Sequence, residues 1–373
     1  MYITPIIIIS SIVIILRTLI VLTRTNWICL WIRIELNIFR FIPIIIRTKR
    51  NLECEASVKY FINQAFASCI IIIISFILWI KIRLLYYIAI PLLILSILLK
   101  LGSSPCYMWF PSVIKALSWT QSMLLATWQK IAPIIILLFN IRPLYIIIII
   151  ISIINIFIGG WFGINQVNIQ SLLAYSSIAH IGWILIPLSI TLNLISFIYF
   201  MIYLIIILPI FLMLTKTSIT KIKNNFNLTQ IPIRLQLSLS FILLSLAGLP
   251  PLSGFIPKLM ILFSISSHSI LITLLIVIFS FISLYFYLNL TFSVIIRISH
   301  TLNFKLNNKI VLSIISIIIF TPMIIILYAM IIFNKSQRYW NSIFYFRRLI
   351  SHSRDRHKSI NSNWISSTWN LSR

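Results

Sequence analysis

Apolar runs long enough to cross a bilayer follow one another through most of this chain, and that repetition limits its fold more than any other feature. A helix needs about 20 apolar residues to span the hydrocarbon. Runs of that kind recur from the N-terminus to about residue 333 of 373. The chain is 61% hydrophobic, and only 9% of it is charged, where soluble domains carry about 25%. Mean hydropathy is +1.09. A water-soluble core has no need of helices that are apolar all round. The expected fold is therefore an all-α, multi-pass membrane protein of about ten or eleven transmembrane helices.

The apolar windows place helices at about 3–22, 26–46, 57–80, 84–101, 106–118 (short), 120–140, 143–163, 170–190, 193–214, 235–255, 258–290 (read as two) and 310–333. The start, MYITPIIIISSIVIILRTLIVL, lacks a basic leader region and a small-residue cleavage site. It reads as a first transmembrane helix, not a removable signal. Polar connections are expected at 47–57, 215–230 and 297–309. From Asn334 the composition turns to Ser, Asn and Arg. Residues 1–333 thus form a transmembrane domain, and 334–373 a basic tail. That tail reads as disordered, or as a segment on the membrane surface with Trp340, Phe344 and Tyr345 among basic residues.

The formal charge of +26 comes from 30 Lys and Arg against four acids, Glu35, Glu53, Glu55 and Asp355. The basic residues sit in short loops, in the tail and inside apolar segments, so they form no basic face for nucleic acid. Near helix ends they anchor topology. Cys29, Cys54, Cys69 and Cys106 are scattered without CxxC spacing, and read as small buried hydrophobes rather than disulfides or metal ligands. Phosphate loops, dinucleotide fingerprints, metal-spaced Cys/His sets and nucleophile triads are absent from the sequence.

Ionisable groups inside the apolar segments carry the functional signal. Each costs at least about 2.5–3.5 kcal/mol in hydrocarbon and is kept mainly where ions move or bind. Glu35 is the only acid within a spanning segment. Lys100 precedes a Gly/Pro break, KLGSSPCYMWFP, and Lys258 follows another, AGLPPLSGFIPK. Pro removes a backbone donor and Gly permits unusual dihedrals, so each break frees backbone groups that need a polar pocket. Two interrupted segments in corresponding halves point to an inverted-repeat transporter, against the plainer reading of two Pro kinks. Lys115 lies just beyond the first break and acquires no role.

Lys130 lies between the breaks in TWQKIAP, with Thr127 on its face and Pro133 releasing the carbonyl of Gln129. A desolvated ammonium holds its proton less tightly than one in water, as a proton-passing group must. The competing reading is a snorkelling lysine, but apolar sequence flanks it for too long. Glu35 is expected to pair with Lys100 or Lys130 in a coupled titration. His180 shares a helix face with Ser176 and Ser177, which suits either a proton relay or a hydrogen-bonded structural histidine.

Six stretches occur in order: WIRIELNIFRFIP, EASVKYF, LKLGSSPCYMWFP, TWQKIAP, AYSSIAHIGW and AGLPPLSGFIPK. Together they closely resemble the mitochondrial NADH dehydrogenase subunit 2 family, antiporter-like membrane subunits of respiratory complex I. The resemblance runs from about residue 1 to 333. It implies two inverted repeats of five helices and a place in the proton-pumping arm, beside other membrane-arm subunits in the mitochondrial inner membrane. It implies proton-path roles for Glu35, Lys100, Lys130 and Lys258. It also implies that NADH, FMN, iron–sulfur clusters and ubiquinone are handled by other subunits, leaving this chain without a cofactor or metal. The alternatives are a stand-alone cation/proton antiporter of the same fold and a purely structural scaffold.

The chain departs from the family at several positions. Tyr107 and Ser112 stand where the family has a His and a Glu, and Gln170 and Ser171 where it has a basic pair. Arg33 and Arg40 replace small residues around Glu35, and Arg17 falls within the first helix. A mitochondrial code that reads AGA and AGG as Ser, and AUA as Met, accounts for excess Arg and Ile beside only eight Met. Readthrough past the true stop would account for the tail.

Overall fold

The structure is a computed structural model that describes residues 27–46, 50–80, 83–140, 144–217, 233–250, 252–266 and 268–300. The expected helices at 3–22 and 310–333, the tail at 334–373, Arg17 and most of the 215–230 connection lie outside the described residues.

Twelve α-helices are described. They are α1 (Trp27–Ile45), α2 (Asn51–Ile80), α3 (Arg83–Leu101), α4 (Trp109–Ala116), α5 (Trp119–Ala126) and α6 (Trp128–Asn140), followed by α7 (Tyr145–Ile164), α8 (Ile169–Ser189), α9 (Asn193–Thr217), α10 (Ile233–Ala247), α11 (Phe255–Ser266) and α12 (Ile270–His300). Six stretches among the described residues are long and apolar enough to cross a membrane: α2, Trp119–Leu138 across α5 and α6, α7, α8, α9 and Ile270–Val294 of α12.

Several boundaries differ from the sequence expectation, and the helix expected at 235–255 ends at Ala247. The charged 47–57 segment is helical from Asn51: the amides of Glu53 and Cys54 donate to the carbonyl of Arg50, and Glu53 sits in the first turn, where the helix dipole favours an acid. The expected 120–140 helix is split at Thr127. There the backbone leaves the α-helical course (φ −112°, ψ −70°), and Thr127 Oγ1 donates to the carbonyl of Met123 at 2.7 Å. The helix expected to end near 290 continues to His300.

Helix α8 is the centre of the bundle. It packs against α4, α5, α7, α9 and α11, and nearly all of it is buried. A helix apolar all round fits such a site. Its closest neighbour is α7, where Gly159 and Gly182 let the backbones approach. A Cβ on Gly182 would lie 2.7 Å from the carbonyl of Ser152, the small-residue packing common between membrane helices. Helix α2 is peripheral: Ile62, Phe66, Cys69, Ile73, Phe76 and Ile80 form an outer stripe, opposite buried Tyr60, Gln64, Ala67, Ile71 and Ile74. Cys54, Cys69 and Cys106 are free and exposed, which corrects their reading as buried. The helical period turns Cys69 outward with the aromatic stripe.

Candidate functional site

The two Gly/Pro breaks share one local geometry. Helix α3 ends at Gly102, which has a left-handed φ of +68°. The amide of Gly102 donates to Leu99 O at 3.1 Å, and that of Ser103 donates to Leu98 O at 3.1 Å. Helix α10 ends at Gly248, with φ +80°. Here Gly248 N donates to Ser245 O at 3.1 Å, and Leu249 N to Leu244 O at 3.5 Å. Both are Schellman ends, in which a left-handed residue just past the helix lets two amides close over the last carbonyls.

Side chains satisfy the remaining backbone groups. At the first break Ser104 N donates to Asn155 Oδ1 of α7 at 2.6 Å, Trp109 Nε1 to Leu99 O at 3.2 Å, and Gln64 Nε2 of α2 to Lys100 O at 3.1 Å. At the second, Lys258 Nζ donates to Ala247 O at 2.7 Å.

Lys100 therefore has its backbone capped by Gln64 and its side chain left over. Its ammonium is buried and has no hydrogen-bond partner, and the same holds for the ammonium of Lys130. Both lysines line one cavity with Ile34, Asn37, Tyr60, Gln64, Trp109, Phe110 and Gln129. It offers about 20 Å³ to water centres, room for a water molecule with polar partners. Lys130 Nζ lies 4.4 Å from the centroid of Phe110 and 6.0 Å from that of Tyr203. Cation–π contacts of this kind are worth about 0.5–2 kcal/mol.

Glu35, on α1, is half-buried, and its Oε2 has no hydrogen-bond partner. Its carboxylate acts on the charge of Lys100 through space. The expected pair with Lys100 or Lys130 is thus not a hydrogen-bonded one, since neither ammonium has a hydrogen-bond partner.

His180 and Lys258 occupy a second region. His180 Nδ1 meets Tyr199 Oη at 2.9 Å, and the two residues share a smaller cavity with Tyr203, Ser245, Gly254 and Pro257. Lys258 Nζ stands 5.6 Å from the Trp183 ring centroid, and the charges of Lys130 and Lys258 both reach His180. The expected Ser176–Ser177–His180 face takes a different form. Ser176 Oγ and Ser177 Oγ donate to the carbonyls of Leu173 and Ala174 at 2.8 and 2.6 Å, so Tyr199, not a serine, is the histidine's partner. Tyr203 bridges the regions, with its ring near Lys130 on one side and 5.1 Å from the His180 ring on the other.

Sequence reasoning missed Asn37, Gln64, Gln129, Tyr199 and Tyr203. Their signal was a polar amide or phenol inside an otherwise apolar helix. Asn37 Nδ2 donates to Gln129 Oε1 at 2.8 Å, joining α1 to α6. Gln121 ties α5 to the end of α1, donating to the carbonyls of Ile44 and Ile45 at 2.8 and 2.9 Å. Lys115 is exposed in the last turn of α4. Three of the departures from the family pattern donate to backbone carbonyls: Ser112 Oγ to Trp109 O and Ser171 Oγ to Asn168 O within one turn, and Gln170 Nε2 of α8 across to Leu117 O at the end of α4, each at 2.8 Å. Among the described residues, no group of three or more His, Cys, Asp or Glu is placed to hold a metal ion.

Residues 24–283 match the family model described as NADH:quinone oxidoreductase/Mrp antiporter, TM. A relative from Lumbricus terrestris named NADH-ubiquinone oxidoreductase chain 2 is 35% identical over 280 residues, covering 75% of this chain and 84% of that one. A relative of the same name from Anopheles gambiae is 36% identical over 308 residues, covering 80% and 89%. A chain in the structure of respiratory complex I from Thermus thermophilus with bound aureothin superposes with a TM-score of 0.72 at 22% identity, over 78% of this chain and 70% of that one. At that identity the likeness is one of fold. The transmembrane helices, the two interrupted segments and the relatives agree: the chain belongs to the NADH:quinone oxidoreductase/Mrp antiporter family of membrane proteins.

Proposed function

We propose that this chain is a proton-translocating, non-redox subunit in the membrane arm of NADH:ubiquinone oxidoreductase, respiratory complex I, in the mitochondrial inner membrane. Its proton path runs from Glu35 to Lys100, across the shared cavity to Lys130, and on by Tyr203 and His180 towards Lys258. One observation carries the reading. Two lysines from different helices present unpartnered, buried ammonium groups to one cavity that has room for water. A structural lysine would be expected to hydrogen-bond its surroundings, since an unpartnered charge in low dielectric is costly. The names of the relatives support the placement in complex I.

The matching Schellman ends at Gly102 and Gly248 support a fold of two inverted repeats, with about ten or eleven helices in residues 1–333 and a separate basic tail at 334–373. In this reading NADH, FMN, the iron–sulfur clusters and ubiquinone belong to partner subunits. This chain contributes the proton path alone.

Proton pumping by membrane vesicles carrying the assembled complex tests the proposal. Lys130→Ala should abolish NADH-driven acidification attributable to this subunit; wild-type pumping would rule the path out. Reconstitution of the isolated chain in liposomes separates the antiporter alternative, which requires cation/proton exchange without partners.

A further inference from the structure

The only polar contact among the described residues that joins the helix of Glu35 to the helix of Lys130 inside the cavity is the Asn37–Gln129 bond. We propose that Asn37 and Gln129 form an amide bridge that positions proton transfer between Lys100 and Lys130, an inference that rests on the proton-path reading above.

Asn37 is 5% exposed, and its Nδ2 donates to Gln129 Oε1 at 2.8 Å. That bond uses one donor and one acceptor and leaves Asn37 Oδ1 and Gln129 Nε2 buried without partners. The bridge therefore presents a bare acceptor from α1 and a bare donor from α6, within the cavity that both lysines line. Carboxamides are nearly symmetric in shape, so both can turn end for end without moving the helices. After the turn Gln129 Nε2 donates to Asn37 Oδ1, and the bare acceptor becomes Gln129 Oε1, on the residue adjoining Lys130.

The chemistry of lysine makes the two settings unequal. An ammonium only donates hydrogen bonds, while a neutral amine can also accept one. A charged lysine selects the setting that shows its side an oxygen; a neutral one tolerates the setting that shows an N–H. The bridge thus follows the proton, orienting water in the cavity for one direction of transfer and resetting when the charge has moved. The amides exchange no proton. The Lys100 ammonium gives a proton to water, that water gives a proton to the neutral Lys130 amine, and one N–H bond is broken for each one made.

The test uses membrane vesicles with the assembled complex. Asn37→Leu and Gln129→Met keep side-chain volume and remove the bridge; each should cut the pumping rate about fivefold or more. Gln129→Asn keeps an amide that is too short to reach and should lose pumping while assembling normally. The swapped double variant, Asn37→Gln with Gln129→Asn, keeps two amides and their combined reach, and should return pumping to within about twofold of wild type. Wild-type pumping in the single variants, beside loss in Lys130→Ala, overturns the bridge and leaves the proton path standing. A swapped variant that assembles but pumps no better than Gln129→Asn also overturns it. Wild-type pumping in Lys130→Ala overturns the proton path itself.

Discussion

Lys258 Nζ donates to Ala247 O at 2.7 Å, closing the end of α10 with a side chain from the far side of the break. Lys100 makes no equivalent bond: its own carbonyl is taken by Gln64 and its ammonium faces the shared cavity. Two lysines beside matching breaks thus hold opposite positions. One is tied to the negative end of a helix dipole, where a cation is favoured, and the other has a buried ammonium without a hydrogen-bond partner.

Replacing Lys258 with Met should leave the Ala247 carbonyl without that donor. The loss is expected to cost about 1–3 kcal/mol, read as a lower thermal midpoint of the assembled complex. Lys258→Arg keeps a donor and should recover most of that stability. Equal midpoints for Met and wild type would mean that the bond contributes nothing.

Gly248→Ala should be damaging for two separate reasons. A left-handed φ of +80° costs an L-residue roughly 1–2 kcal/mol. The added Cβ would also lie 3.0 Å from both Cδ and Nζ of Lys258. Reduced pumping with the complex still assembled is the expected result; an alanine variant indistinguishable from wild type in stability and pumping would contradict the geometry.

Glu35→Gln removes the charge that acts on Lys100 while keeping the size of the side chain. Proton pumping should drop at least about tenfold, with assembly unchanged by immunoblot of the membrane arm. Unaltered pumping would show that the path does not begin at Glu35.

The arginines near Glu35 are a matter of codons. Helix α1 holds Arg33, Glu35 and Arg40 in 19 residues, and Arg40 is exposed beside exposed Phe39. A charge facing hydrocarbon costs about 2.5–3.5 kcal/mol. AGA or AGG codons at Arg17, Arg33 and Arg40, with serine at those sites in peptides sequenced by mass spectrometry, are expected. CGN codons would refute the reassignment and leave three genuine arginines.

The membrane class, the placement of most helices and the two interruptions were legible in the sequence, because apolar run length and Gly/Pro chemistry are local properties. Leu-Gly and Ala-Gly steps ahead of proline mark Gly102 and Gly248 as helix ends whatever surrounds them. Glu35, Lys100, Lys130 and Lys258 were legible too, as ionisable groups that hydrocarbon does not tolerate without a reason. Which of these groups meet was decided by tertiary structure alone. Lys100 and Lys130 share a cavity because α3 packs on α6, whereas Lys258 turns back onto its own break and His180 finds Tyr199 from α9. An apolar helix looks alike on every face in one dimension, so periodicity could not tell the outer stripe that carries Cys69 from the inner one that carries Gln64. Only the packing of neighbouring helices separates them, and with them the amides and phenols that surround the lysines.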